Sequence, residues 1–266
     1  MYRLLTFDLD ETILQSDHLV SLEDRETAMN LKDVFLVPAT GRSFLSIQGT
    51  LKELGLYDKK NSYSISFNGS IITENHQNRI IFSSYLAYAD VTRLLQIGVE
   101  EDLCVHVYLL DETYIYKIYE NEKAYLVNRM TYLPLEDPDP AFFQDKKVIK
   151  ILYANNDMER LKRLRKKLDL EDEYEISLSS NRYLEFNPKG ISKGFALKKL
   201  CELLKIDIRD TIAVGDSVND LSMLHAAGKS LAVANAVEEI KNDCDDILDA
   251  DHNHSPLTEI IDKYFR

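Results

Sequence analysis

The 266-residue sequence has no tryptophan, three cysteines, six prolines and nine glycines, and it sets 32 lysines and arginines against 45 aspartates and glutamates. Each shortage excludes something. No apolar run approaches the roughly eighteen residues that a membrane-spanning helix needs, and the start Met1-Tyr2-Arg3-Leu4-Leu5 lacks the pattern of a secretory leader. The chain therefore reads as cytoplasmic, with no membrane partner. Cys104, Cys201 and Cys244 are odd in number, far apart and without CxxC spacing, which removes a disulfide framework and a zinc ribbon and leaves buried free thiols. A net charge of -13 disfavours nucleic acid as a partner, so any phosphate ligand would need a local positive pocket. What is present is ample apolar content, 45%, enough for one large core or two modest ones.

Leu4-Leu5-Thr6-Phe7 leads into Asp8-Leu9-Asp10-Glu11-Thr12, two carboxylates one residue apart. On a continuing strand both would project to one face, where their repulsion calls for a cation or a proton. A strand ending in a solvated acidic turn, with Thr12 as a helix cap, accounts for the pair equally well. Residues 16–31 are polar and only weakly helical around 21–28. Val34-Phe35-Leu36-Val37 is a buried-strand run ending in Pro38-Ala39-Thr40-Gly41-Arg42, with Ser43 able to cap a following helix. Asn68-Gly69 between two apolar stretches predicts a type I′ hairpin turn.

From about residue 84 the texture changes. A helix is predicted over 90–101, strands over 104–109, 113–117 and 147–153, a basic-faced helix over 158–168, and a strand pair over 174–178 and 183–186, with 133–140 as an internal loop. This is the pattern of an α+β insertion. Past Pro188-Lys189-Gly190 the α/β texture resumes: Ser192 caps a helix, 211–214 is a strand, Gly215-Asp216-Ser217-Val218-Asn219-Asp220 opens another helix, 230–234 is a strand, and helices follow near 237–242 and 257–264.

Four polar clusters thus follow predicted strands or open predicted helices: Asp8/Asp10/Thr12, Thr40/Gly41/Arg42, Ser192/Lys193 and Gly215/Asp216/Asn219/Asp220. In an open parallel sheet such positions share one edge, where ligands bind. Together they suit phosphoryl transfer. Asp8 is the candidate nucleophile, Asp8 and Asp216 are hard ligands for Mg²⁺, and Asp10 is the candidate acid and base. Thr40, Lys193 and Asn219 are candidates to hold phosphoryl oxygens.

In order and spacing these motifs resemble the haloacid dehalogenase (HAD) superfamily, and within it the Cof-type (subclass IIB) sugar-phosphatase-like proteins with a C2 cap. The segments Ser66-Phe67-Asn68-Gly69-Ser70, Leu184-Glu185-Phe186-Asn187-Pro188 and Ala232-Val233-Ala234-Asn235-Ala236 resemble the family too. The resemblance implies an α/β fold, with a Rossmann-like parallel-sheet core over 1–83 and 183–266 and an inserted α+β C2 cap over 84–182 covering the site. It implies Asp8 and Asp10 as catalytic residues. It implies Mg²⁺ on Asp8, Asp216 and the Asp10 backbone carbonyl, and phosphate on Leu9, Thr40, Gly41, Lys193 and Asn219, with Thr12, Arg42 and Asp220 in support.

The implied activity is that of a Mg²⁺-dependent phosphatase acting on a small-molecule phosphate ester, a sugar phosphate among them, through an aspartyl-phosphate. A phosphomutase-like phosphotransferase and a non-catalytic metabolite-binding regulator are the alternatives. A monomer or weak homodimer is expected. Two departures stand out: Glu11 where the family usually has glycine, and Asp251-His252-Asn253-His254-Ser255 in place of the usual Asp-Gly pair, its histidines read as surface.

Overall fold

The computed structural model describes residues 2–127 and 129–266. The chain divides into two compact units: everything up to Ser83 together with Ser192–Arg266, and Ser84–Ile191 between them. Before the second unit come strands β1 (Leu4–Phe7), β2 (Phe35–Pro38), β3 (Tyr63–Ser66), β4 (Ile71–Glu74) and β5 (Arg79–Ser83), with helices α1 (Leu22–Asn30) and α2 (Gln48–Glu53). The second unit holds β6 (Cys104–Tyr108), β7 (Thr113–Tyr116), β8 (Leu133–Leu135), β9 (Lys150–Ala154), β10 (Tyr174–Ser179) and β11 (Tyr183–Pro188), with α3 (Tyr88–Glu100), α4 (Glu120–Leu126) and α5 (Met158–Leu168). After it follow α6 (Lys193–Leu204), β12 (Thr211–Gly215), α7 (Leu221–Ala226), β13 (Lys229–Ala232), α8 (Glu238–Lys241), β14 (Asp246–Ile247) and α9 (Pro256–Tyr264).

In the first unit a parallel sheet runs in the order β14-β13-β12-β1-β2. β1 lies inside it with all four side chains buried, which is why its sequence is an apolar run without alternation. Its register sets Phe7 beside Pro38 on one side and Val214 on the other. The residues that follow, Asp8, Thr40 and Asp216, therefore leave the sheet at one edge. A second sheet, β3-β4-β5, is antiparallel.

The hairpin predicted at Asn68-Gly69 forms, but not with a type I′ turn. Ser66 pairs with Ile71, and Phe67, Asn68 and Gly69 all take positive φ. The reason is a docking contact: the Phe67 and Asn68 N–H groups donate to the carbonyls of Arg42 and Thr40, 3.0 Å each. The turn serves the 40–42 loop instead of closing on itself.

The second unit is a sheet in the order β10-β11-β9-β6-β7-β8, antiparallel except for β7 with β8. Alternation sorts its residues. Val105, Val107, Ile151, Tyr153, Leu184 and Phe186 share a core with α3 and α5, while Cys104, Ile115, Leu152, Ala154 and Tyr183 cluster with Leu126 of α4. On that second set of positions His106 is fully buried, and its ring packs near Tyr108 and Tyr183. Burial, aided by Lys150, pushes its pKa down to about 3 and keeps it neutral. Buried Lys150 pairs with buried Glu185 at 2.5 Å.

Two sequence readings change here. Residues 133–140 include β8, a strand too short and proline-marked to register as one. The unit also runs on to Ile191, past the boundary placed at residue 182, because β11 is held between β10 and β9.

α6 follows the pattern of its sequence. Ser192 caps it by accepting from the Phe195 N–H, and Ala196, Leu197, Leu200 and Cys201 turn inward. Its second residue, Gly194, is pressed against α7: a Cβ there would lie 1.9 Å from the Ser222 carbonyl oxygen. Gly194→Ala should lower the unfolding free energy by about 1–3 kcal/mol through overpacking. Urea denaturation would show this as a lower midpoint at unchanged slope, and an unchanged midpoint would contradict the packing.

Candidate active site

The residues after β1 are held from both sides. The Asp8 N–H donates to the Val214 carbonyl at 3.1 Å, and the Ala39 N–H donates to the Phe7 carbonyl at 2.8 Å. Thr12, Ile13 and Leu14 all turn their N–H groups onto the carbonyl of Leu9, closing a tight turn just beyond Asp10. Thr12 does not cap a helix. It is fully buried, and its hydroxyl donates to Asp216 Oδ1 at 2.9 Å, tying the first loop to the fourth.

Lys193 opens α6, where the helix dipole disfavours a cation. It is 1% exposed, with Nζ 2.5 Å from Asp8 Oδ1 and 2.7 Å from Asp220 Oδ1. The other oxygen of Asp220 accepts from the N–H groups of Asp216 and Ser217, 3.2 Å each. That geometry requires glycine at 215, since a Cβ there would lie 2.6 Å from the Asp220 carboxylate. Asp8, Asp216 and Asp220 each bring an oxygen within 4.8 Å of the others, all three buried.

Three carboxylates thus face one ammonium in a dry site. Burial pushes Asp8 up to about 7 despite Lys193, with Asp220 and Asp10 adding to the rise. Burial likewise pushes Asp216 up to about 8, reinforced by Asp220 and Asp8. Lys193 goes the other way: burial opposes its charge, but Asp220 and Asp8 outweigh that and hold its pKa above the ordinary lysine value. The cluster carries two negative charges too many, and its free donors are hard carboxylate oxygens. Such a set fits a divalent cation.

Asp10 stands apart from that cluster. Both its oxygens accept from Arg42, Nε at 2.7 Å and the second contact from an Nη, and His18 Nδ1 lies 4.0 Å away. Arg42, expected only in a supporting role, is thus the direct partner of Asp10. Thr40 is buried and its hydroxyl accepts from the Arg42 N–H at 3.1 Å. Gly41 packs against Asn68. Asn219 accepts from the Ser217 hydroxyl at 2.7 Å. Leu9 points its side chain into the core, so only its backbone is available to a ligand.

Glu11, unexplained by sequence, has φ +58° and an exposed side chain, and its carbonyl accepts from Asn235 Nδ2 at 2.7 Å. Sequence reading quoted Asn235 only within the segment 232–236 and gave it no role. The available signal was its place just after a strand of the parallel sheet, the same relation that marks the other clusters. His252 and Asn253 are more than surface as well: they bond Ser16 at 3.0–3.2 Å.

The family model for haloacid dehalogenase-like hydrolases matches residues 5–260. A putative phosphatase of Bacillus subtilis, YxeH, is 29% identical over 248 residues, covering 90% of each chain. An HMP-PP phosphatase of Yersinia pseudotuberculosis is 27% identical, over 91% of this chain and 88% of its own. The solved structure of the HAD subclass IIB sugar phosphatase BT4131 superposes on 99% of both chains with a TM-score of 0.83, at 19% identity.

The charge imbalance predicts how stability follows pH. Carboxylates whose folded pKa is raised stabilise the fold below about pH 4 and lose that contribution as pH rises through about 7 to 8, where burial must hold them ionised. A divalent cation counters the loss only where the groups are ionised. The gain in melting temperature of EDTA-treated protein on adding MgCl₂ should therefore be larger at pH 8 than at pH 5.5. Equal gains at the two pH values would refute the cluster as the cation's site.

Proposed function

The chain belongs to the haloacid dehalogenase-like hydrolase family, and from that membership we propose a Mg²⁺-dependent phosphatase that hydrolyses a small phosphorylated metabolite, a sugar phosphate, through an aspartyl-phosphate on Asp8. Phosphatase activity itself is what its relatives are named for. The sugar follows the subclass of a structural neighbour. The observation that carries the reading is Lys193 bridging Asp8 and Asp220 beside Asp216 at the sheet edge.

In this reading the ionised Asp8 carboxylate attacks phosphorus, its oxygen bonding as the bond to the leaving alkoxide breaks. Lys193 already touches the attacking group and offsets charge on the non-bridging oxygens, joined by Thr40, Asn219 and the backbone of Leu9 and Gly41. Asp10 protonates the alkoxide, then takes a proton from the water that attacks phosphorus and releases inorganic phosphate and free Asp8. Arg42 donates to both Asp10 oxygens and so orients the carboxyl group, leaving lone pairs on each oxygen for the proton it transfers. Asp8, Asp216 and the Asp10 carbonyl would hold the Mg²⁺, which supplies positive charge against the phosphoryl oxygens. Thr12 orients Asp216 and Asp220 orients Lys193. Residues 84–191 are assigned the choice of substrate.

Asp8→Asn should cut turnover by about four orders of magnitude or more, as loss of a nucleophile does. Since it also removes surplus buried charge, the variant in EDTA at pH 8 should melt no lower than the parent. Substantial residual turnover would rule out Asp8 as nucleophile. Asp10→Asn should slow hydrolysis of alkyl phosphates about 10²–10⁴-fold and that of nitrophenyl phosphate much less, because a good leaving group needs no proton. Equal losses for both esters would exclude Asp10 as the acid.

A further inference from the structure

Residues 233–237, just past β13, carry none of the groups assigned to chemistry, yet they reach both acidic loops. The Val233 N–H donates to the Gly215 carbonyl at 3.4 Å and the Val237 N–H to the Asp216 carbonyl at 3.0 Å. Between them Asn235 uses both ends of its amide: Nδ2 donates to the Glu11 carbonyl at 2.7 Å, and Oδ1 accepts from the His252 N–H at 2.9 Å. The Ala234 N–H donates to the Ala250 carbonyl at 3.0 Å, fixing the segment to the next loop.

What Asn235 grips is the weak point of the first loop. Glu11 sits in the left-handed region, which a residue with a Cβ disfavours, and it directly follows Asp10. Its peptide unit is also part of the turn whose N–H groups converge on Leu9. Were Glu11 to relax to negative φ, the backbone at Asp10 would rotate with it. The bonds from Asn253 and His252 to Ser16 hold the far end of the same loop.

We propose that Asn235 is a positioning residue. Its side-chain amide locks Glu11 left-handed and so fixes Asp10 relative to Asp8 and Asp216: the side chain holds the first acidic loop while the backbone of Val233 and Val237 holds the other. The proposal rests on the acid role given to Asp10 above, and its test separates the two. Asn235→Asp keeps the acceptor for His252 and loses the donor to Glu11. Asn235→Ala loses both. Each should reduce kcat for an alkyl phosphate about five- to tenfold, the worth of one hydrogen bond, with KM within about twofold and a smaller loss for nitrophenyl phosphate.

Glycine at position 11 removes the left-handed penalty, so in a Glu11→Gly background the Asn235→Ala loss should shrink to about twofold or less. A loss of equal size in both backgrounds, or equal for both esters, would overturn the proposal, as would full activity in Asn235→Asp. If the parent protein hydrolyses neither ester, the phosphatase reading fails. The tether is then judged by hydrogen exchange of the Thr12, Ile13 and Leu14 amides: about fivefold or faster exchange in Asn235→Ala supports it, and an unchanged rate overturns it.

Discussion

A surplus of buried negative charge governs this molecule. Asp8, Asp216 and Asp220 converge where water is largely excluded, and among the described residues a single ammonium, Lys193, answers them. Removing charges from water costs several kcal/mol each unless they are paired, so the surplus is a standing cost to the fold. The surrounding structure shows how that cost is contained. Backbone N–H groups are spent on one oxygen of Asp220, a threonine hydroxyl on Asp216, and the start of a helix on a lysine that would sit poorly there without two carboxylates beside it. The same surplus makes the site receptive to a divalent cation and to the charge that develops during phosphoryl transfer.

The parallel sheet is the means of assembly. Because every strand in it runs the same way, residues distant in sequence leave at one edge, and two contacts span the whole insertion: Thr12 to Asp216 and Lys193 to Asp8. Close packing then sets tolerances. Gly215 leaves room for the Asp220 carboxylate, and Gly194 lets α6 approach α7 closely enough to deliver Lys193. Asp10 belongs to a second layer of electrostatics, facing Arg42 and His18. Asp8 and Asp10, separated only by Leu9, therefore meet unlike surroundings, which is what unlike roles require.

The sequence carried the strands and helices whose signals are local: an apolar run for β1, a serine cap for α6, and 3.6-residue spacing for α5. It also carried the four clusters, since each stands at a strand end or helix start. The rest depends on partners that no short window contains. Asn68-Gly69 has the composition of a two-residue turn but is drawn into a wider one by the carbonyls of Thr40 and Arg42. Glu11 looked like a misfit because the amide that holds it lies at position 235. β8 is three residues long with a proline in the middle and exists through pairing with β7. The extent of the inserted unit follows from β11 joining two strands, a fact of sheet order and not of composition.

The central place of β1 also bears on how the chain is made. Of its two neighbours, β2 follows soon after it in the sequence, but β12 does not, and the loops they carry meet across 204 positions. At ribosomal speeds of about 5–20 residues per second, β1 waits on the order of 10–40 s with one flank unpaired. In that interval the segment between can satisfy itself, because every strand partnership in Ser84–Ile191 is made within it. The carboxylates begin as ordinary exposed acids on a nascent chain. Their mutual crowding starts only when β12 docks, so the strain of the site arrives at the end of synthesis, together with the lysine that relieves it.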